Sequence, residues 1–138
     1  MAGYSGTPLP TKLGIKEGST VAFSGSPPGF AATLGELPDS VTVKRRAVAP
    51  LDVAVAFFTR RAELERRLGS LARAIHPDGG LWIAWPKRSS GVATDLTEDV
   101  VRELALAGGL VDNKVCAIDE TWSGLRLVYR LRDRPARP

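Results

Sequence analysis

From Trp85 to Leu96 the chain reads Trp-Pro-Lys-Arg-Ser-Ser-Gly-Val-Ala-Thr-Asp-Leu, the densest grouping of residues able to do chemistry. Lys87 supplies a cation for anion binding or proton transfer. Ser89 and Ser90 add hydroxyls, Asp95 a carboxylate and Trp85 an apolar wall. Two other stretches carry related groups. Ser24-Gly25-Ser26-Pro27-Pro28-Gly29-Phe30 contributes Ser24, Ser26 and Phe30, and Asp119-Glu120-Thr121-Trp122-Ser123-Gly124 contributes Glu120 and Trp122. These ten residues are the candidate ligand-binding set, with no catalytic assignment among them. Each has an ordinary alternative. The tryptophans serve equally as core or rim packing, Asp95 as a helix cap, and Lys87 as a solvated lysine or a partner to Glu120.

Some chemistry is disfavoured by the residue inventory. The chain has one histidine and one cysteine, too few for a His-based triad or a transition-metal site, so no metal is expected. His76 reads as a cap at a helix C-terminus, and Cys116, inside an apolar run, as a buried inert thiol. The turn at 25–30 lies where dinucleotide-binding domains carry G-x-G-x-x-G, but that spacing is absent. Phosphate cradles work through backbone N–H groups, and Pro27 and Pro28 each remove one. The standard cofactor mode is disfavoured, no cofactor is assigned, and an altered anion site at the next helix start stays open.

The elements that must position these groups follow from hydrophobic pattern. Leu81 to Trp85 and Leu51 to Phe58 are continuous apolar runs, as strands covered on both faces require; Pro86 stops the first. Thr20 to Ser24 and Val41 to Arg45 are further strands, the latter with Val41 and Val43 alternating inward. Lys114 to Ile118 and Leu125 to Leu131 form a closing antiparallel pair, because a connection so short excludes a crossover. Helices are expected near 8–13 (Thr7 capping, Pro8 at the first position), 29–34, and 60–75 after Thr59. A further helix opens at Thr94 or Asp95, where Asp95-Leu96-Thr97-Glu98 has capping-box spacing, and ends at Gly108-Gly109.

At 138 residues, with 43% apolar and 25% charged residues, the chain is expected to form one globular domain over 1–131, with 1–6 flexible and 132–138 a disordered basic tail. The N-terminus lacks a signal peptide's basic start and apolar stretch, and no run reaches membrane-spanning length, so a cytoplasmic location without membrane association is expected. Nineteen Lys and Arg against fifteen Asp and Glu give a net charge of +4, mildly favouring anionic partners. Arginine pairs occur at Arg45-Arg46, Arg60-Arg61 and Arg66-Arg67 and read as solvated faces; no aromatics interleave with them to stack bases, which disfavours nucleic acid.

Pro77-Asp78-Gly79-Gly80-Leu81-Trp82-Ile83, the helix after it, and the hairpin ending Leu125-Arg126-Leu127-Val128 resemble the C-terminal half of class I methyltransferases. That resemblance implies a single-domain, three-layer, Rossmann-like α/β fold, its sheet mostly parallel with an antiparallel C-terminal strand, in the order 2-1-3-4-6-5. The acidic, Gly-rich cofactor turn of that family is missing, so the resemblance carries no cofactor residue. The whole chain also resembles a small bacterial family known as a domain of unknown function (family three-zero-five-two), through Tyr4-Ser5-Gly6-Thr7-Pro8-Leu9, Lys12-Leu13-Gly14-Ile15, Trp85-Pro86-Lys87 to Thr97-Glu98, and Asp119 to Gly124. It implies no activity. How strand 41–45 connects to strand 51–58 is open, since a parallel crossover ordinarily needs a dozen residues or more.

The expected function is therefore a non-catalytic, methyltransferase-like domain binding a small anionic ligand or a protein partner. One alternative is an enzyme of unassigned class using Lys87 and an acid such as Glu120. Another is a nucleic-acid or protein-interaction module built on the arginine pairs.

Overall fold

The computed structural model describes residues 6–134. Its chain order is α1 (Leu9–Lys12), β1 (Thr20–Ser24), α2 (Phe30–Leu34), β2 (Thr42–Lys44), β3 (Leu51–Phe57), α3 (Arg61–Ala74), β4 (Ile75–Pro86), α4 (Glu98–Ala107), β5 (Leu110–Ala117) and β6 (Trp122–Tyr129). One six-stranded sheet has the order β2-β1-β3-β4-β6-β5. The pairs β1/β2, β1/β3 and β3/β4 are parallel, while β6 runs antiparallel to both β4 and β5. Fold class and strand order are those expected from the sequence.

The continuous apolar runs occupy the centre because helices cover both sheet faces. On one face α3 and α4 bury Leu64, Leu68, Leu71, Val101 and Ala105 against Leu51, Leu81, Ile83 and Trp85. On the other, Leu9, Leu13, Ile15, Phe30 and Leu34 cover Val21, Val53, Val55 and Trp82. Trp82 is fully buried, and its indole N–H donates to the Leu13 carbonyl at 2.9 Å, fastening the end of α1 to the central strand.

The short connection from β2 to β3 contains no helix. Lys44 is level with Ala22, and Ala22 with Ala54, so residues 45–50 must step back along β3 to Leu51 while crossing β1. That requires about 10 Å of sideways travel, within the roughly 20 Å an extended six-residue segment can span. The segment passes on the α3 face, where Ala47 packs against the core, and closes with a cis Ala49–Pro50 peptide.

Several boundaries differ from expectation. Strand β4 starts at Ile75, the C-cap residue of α3, so His76 lies beyond the cap in the strand's irregular first section. The chain bulges there: Leu51 pairs with Ile75, but Val53 pairs with Gly80. Gly79 lies so close to β3 that a Cβ would meet the Asp52 carbonyl at 2.8 Å. β5 begins at Leu110 rather than Lys114, because Leu110, Val111 and Asp112 pair with Tyr129, Val128 and Leu127, and β6 begins at Trp122 rather than Leu125, because Trp122, Ser123 and Gly124 pair with β4 as an ordinary ladder. Val43 is 50% exposed rather than inward, since β2 is a three-residue edge strand beyond the helical cover. Leu131–Asp133 forms a 3₁₀ turn, and the Arg134 Nε donates to the Tyr129 carbonyl at 3.0 Å. The expected flexible segment 1–6 and disordered tail 132–138 otherwise lie outside the described residues.

Candidate functional site

Parallel strands deliver their C-terminal loops to one edge of the sheet, where ligands of open α/β folds bind. Here that edge gathers the turn after β1 (25–29), the crossover start (45–48), the loop after β3 (58–60), the loop after β4 (87–97) and the β5–β6 tip (118–121). The candidate residues lie at or near this edge, but their roles differ.

The loop after β4 is tied down on every side. The Lys87 N–H donates to the Thr121 carbonyl at 2.7 Å, joining the loop to the β5–β6 tip. Arg88–Ser90 forms a 3₁₀ turn closed by Gly91 in the left-handed region. The Ser90 hydroxyl donates to the Lys87 carbonyl at 2.6 Å and accepts from the Val92 N–H. The Thr94 hydroxyl donates to the Thr59 carbonyl at 2.6 Å and accepts from the Leu96 N–H.

Asp95 requires a correction. It does not cap the helix that follows; α4 starts later, and Thr97 is its cap, accepting from the Val100 N–H at 3.2 Å. The Asp95 carboxylate instead accepts the Arg61 N–H at 2.7 Å. Arg61 is the first residue of α3, whose own N-cap position, Arg60, supplies no side-chain acceptor. Asp95 therefore satisfies an otherwise orphaned helix donor from a different segment of chain. Thr59, expected to cap α3, contributes only its carbonyl to Thr94.

The aromatic candidates serve the core. Trp85 is 6% exposed and belongs to the α3–α4 face, while its edge floors a 440 Å³ surface hollow beside Gly91, Val92, Leu96 and Glu98. Phe30, 5% exposed, sits in a run of rings: Phe23–Phe30, Phe30–Phe57 and Phe57–Trp122, with centroids 5.5, 5.0 and 5.2 Å apart. This run belongs to the core on the α1–α2 face of the sheet. Trp122 is half-buried at its end, and the Asp119 carboxylate accepts the Thr121 and Trp122 N–H groups at 2.8 Å. Ser26, Ser89 and Glu120 are exposed, and Lys87 is half-buried. Among the described residues Lys87 forms no ion pair, with Glu120 or any other acid.

A different part of the edge concentrates charge. Ser24, Gly25, Arg45, Arg46, Val48 and Arg67 line an open pocket of about 380 Å³ between the turn after β1, the crossover and α3. Arg67 donates from Nη1 to the Ser24 hydroxyl at 2.8 Å and lies over the Phe58 ring, 5.8 Å from its centroid. Gly25 has φ +69°, and a Cβ there would stand 3.0 Å from the Phe57 carbonyl, so only glycine lets the turn hug β3 this closely. Among the described residues no acid lines the pocket, and Arg45, Arg46 and Arg67 form no salt bridge. Sequence reasoning placed Ser24 here but treated the arginines as solvated pairs. The available signal was the shortness of 45–50, which forces Arg45-Arg46 across the end of β1.

The opposite edge holds a second polar cleft, of about 460 Å³, with Lys16, Lys114 and Arg126 but also Asp52 and Asp78. The Asp52 carboxylate accepts the Thr20 N–H at 2.9 Å. The Arg126 guanidinium lies across Gly80 and donates to Asn113; burial, with Arg134 nearby, lowers its pKa. Cys116 is half-buried against the α1–α2 face, and burial raises its thiol pKa. Among the described residues no cluster of three His, Cys, Asp or Glu side chains is placed to hold a metal, and no helix is long and apolar enough to cross a membrane.

No family model and no curated protein matches the chain. Solved structures do. A protein assigned as a type 11 methyltransferase from Sulfolobus solfataricus superposes with a TM-score of 0.65 at 14% identity, covering 99% of this chain and 98% of its own. A SAM-dependent methyltransferase from Aquifex aeolicus gives 0.59 at 19% identity, with 85% of each chain covered. DhpI, solved with SAH, gives 0.61 at 12% identity, covering 91% of this chain and 83% of its own. At such identities the likeness concerns architecture, and the architecture is that of the SAM-dependent methyltransferases.

Proposed function

We propose that this chain is a non-catalytic, methyltransferase-like domain that binds a small anionic ligand at the carboxyl edge of its sheet. The observation that carries this is the division of polar groups along that edge. The Asp95 carboxylate and the Ser90 and Thr94 hydroxyls of the β4 loop are engaged in holding the frame, whereas Lys87, Arg45, Arg46 and Arg67 have no carboxylate partner among the described residues. Cations without acids favour an anion and assemble no acid–base pair for proton transfer. Two prolines in the turn after β1 remove N–H groups that a nucleotide-type cofactor would use. Membership of the bacterial domain-of-unknown-function family, the loss of the methyltransferase cofactor motif and a cytoplasmic location belong to the same proposal.

A thermal-shift screen of the full chain tests it, using S-adenosylmethionine, inorganic phosphate, pyrophosphate, citrate and coenzyme A. A ligand at 100 times its Kd adds about 2.7 kcal/mol, a rise of several degrees for a domain of this size. A shift with an anion and none with S-adenosylmethionine is expected. Binding of S-adenosylmethionine followed by methyl transfer would overturn the non-catalytic assignment, and no shift with any compound would point to a protein partner instead.

A further inference from the structure

We infer that the arginine pocket at the ends of β1 and β2 is a phosphoryl-binding site, with Arg67 as its fixed fork and Arg45 and Arg46 completing the cradle. The inference rests on the anion-binding proposal and names the ligand class and the residues.

Topology comes first. The sheet order β2-β1-β3 places a switch point between β1 and β3: the crossover to the left of β1 leaves through α2 on one face, and the crossover from β3 leaves through α3 on the other. A crevice opens at such a point, outside the carboxyl ends of the strands. In dinucleotide-binding sheets the residue about 20 positions after the glycine turn, at the end of the second strand, selects the ligand: an acid there takes ribose hydroxyls, and an arginine accommodates a phosphate. This chain has Arg45-Arg46 at that place, immediately after β2.

Preorganisation comes second. Arg67 is held in place before any ligand arrives, by the 2.8 Å hydrogen bond to Ser24 and by the Phe58 ring beneath it. That hydrogen bond uses Nη1 alone, and the guanidinium carries further N–H donors in one plane. A planar fork already oriented matches the geometry of a phosphoryl group, which a lysine ammonium would not. The helix-free crossover brings Arg45 and Arg46 to the same pocket, lined also by Gly25 and Val48 and, among the described residues, by no acid. Three like charges around one hollow repel one another, and a dianion relieves that repulsion. The volume, about 380 Å³, is at the lower end of the range for small-molecule pockets, which suits a phosphomonoester better than a dinucleotide.

The test is isothermal titration of the full chain with inorganic phosphate at constant ionic strength, with acetate as the control anion. Expected are saturable phosphate binding, a loss of at least tenfold in affinity for Arg67→Met and for Arg45→Ala with Arg46→Ala, and a change of less than twofold for Arg66→Ala, an exposed arginine outside the pocket lining. Arg67→Lys keeps the charge without the fork, and its affinity should fall between wild type and Arg67→Met. Melting temperatures near wild type show that the variants are folded. Loss of phosphate binding in Lys87→Ala, with the arginine variants unaffected, would overturn this inference and leave the anion-binding proposal standing. Binding of citrate but not phosphate would do the same. Failure of every anion would overturn both. A single-stranded oligonucleotide that binds through the same arginines far more tightly than phosphate would replace the small ligand with a nucleic acid.

Discussion

The loop after β4 and the crossover after β2 reach the same edge of the sheet, and they use their polar residues in opposite ways. In the loop, Asp95 caps α3, Ser90 closes the 3₁₀ turn, and Thr94 holds the Thr59 carbonyl. These three side chains are turned inward, to backbone. The crossover carries Arg45 and Arg46 at the surface with no salt-bridge partner among the described residues, lining one pocket with an Arg67 already positioned by Ser24 and Phe58. A polar residue that has found backbone partners is architecture. One left unpaired beside like charges is available to a ligand.

The largest effect that sharpens this contrast should come from Trp85. As a core residue at 6% exposure, Trp85→Ala should lower unfolding stability by about 3–5 kcal/mol, read by urea denaturation. A wall residue of an open cleft would cost little, and that result would return Trp85 to the site. Next is Asp95→Ala. Loss of the cap on α3 should cost about 1 kcal/mol while leaving anion affinity unchanged. A stable variant with lost affinity would place Asp95 in the binding site.

Alkaline titration gives a smaller and more gradual effect. The Tyr129 hydroxyl donates to the Ala72 carbonyl at 2.6 Å, and burial raises its pKa, as it does that of Cys116. Both groups hold their protons more tightly folded than unfolded. Stability is therefore complete below the ordinary thiol and phenol ranges and declines as pH rises through them. Urea midpoints from pH 7 to pH 11 should fall for wild type and less steeply for Tyr129→Phe; an unchanged slope would show that burial of the phenol contributes nothing. Smallest of all should be the effect on stability of Lys87→Ala and of Arg45→Ala with Arg46→Ala, each within about 0.5 kcal/mol. A larger loss from the arginine pair would make those residues part of the frame.

The sheet was legible in the sequence because its signals are local. The unbroken apolar runs at 51–58 and 81–85 require burial on both faces, and the short link before Leu125 requires an antiparallel pair. The site was less legible because its assignments depend on partners far away in sequence. Asp95 has good capping-box spacing to Glu98, yet the orphan donor it satisfies is on Arg61, a residue that no local pattern connects to it. Trp85 and Phe30 sit next to polar loops, but strand alternation and the ring-to-ring contacts turn them into the core. Arg67 looked like one member of a solvated pair, and the helix turns it toward Ser24 while its neighbour Arg66 stays exposed. Val43 fits an alternating pattern, but the cover it would need stops short of the edge strand.

The division between frame and site is tested most directly by mapping backbone amide chemical shifts during titration of the full chain with inorganic phosphate. The account predicts saturable shifts at Ser24, Gly25 and Arg45 to Val48, with Ser90 to Asp95 unmoved. Shifts confined to Lys87 through Asp95, with the crossover silent, would contradict it and make the β4 loop the binding site.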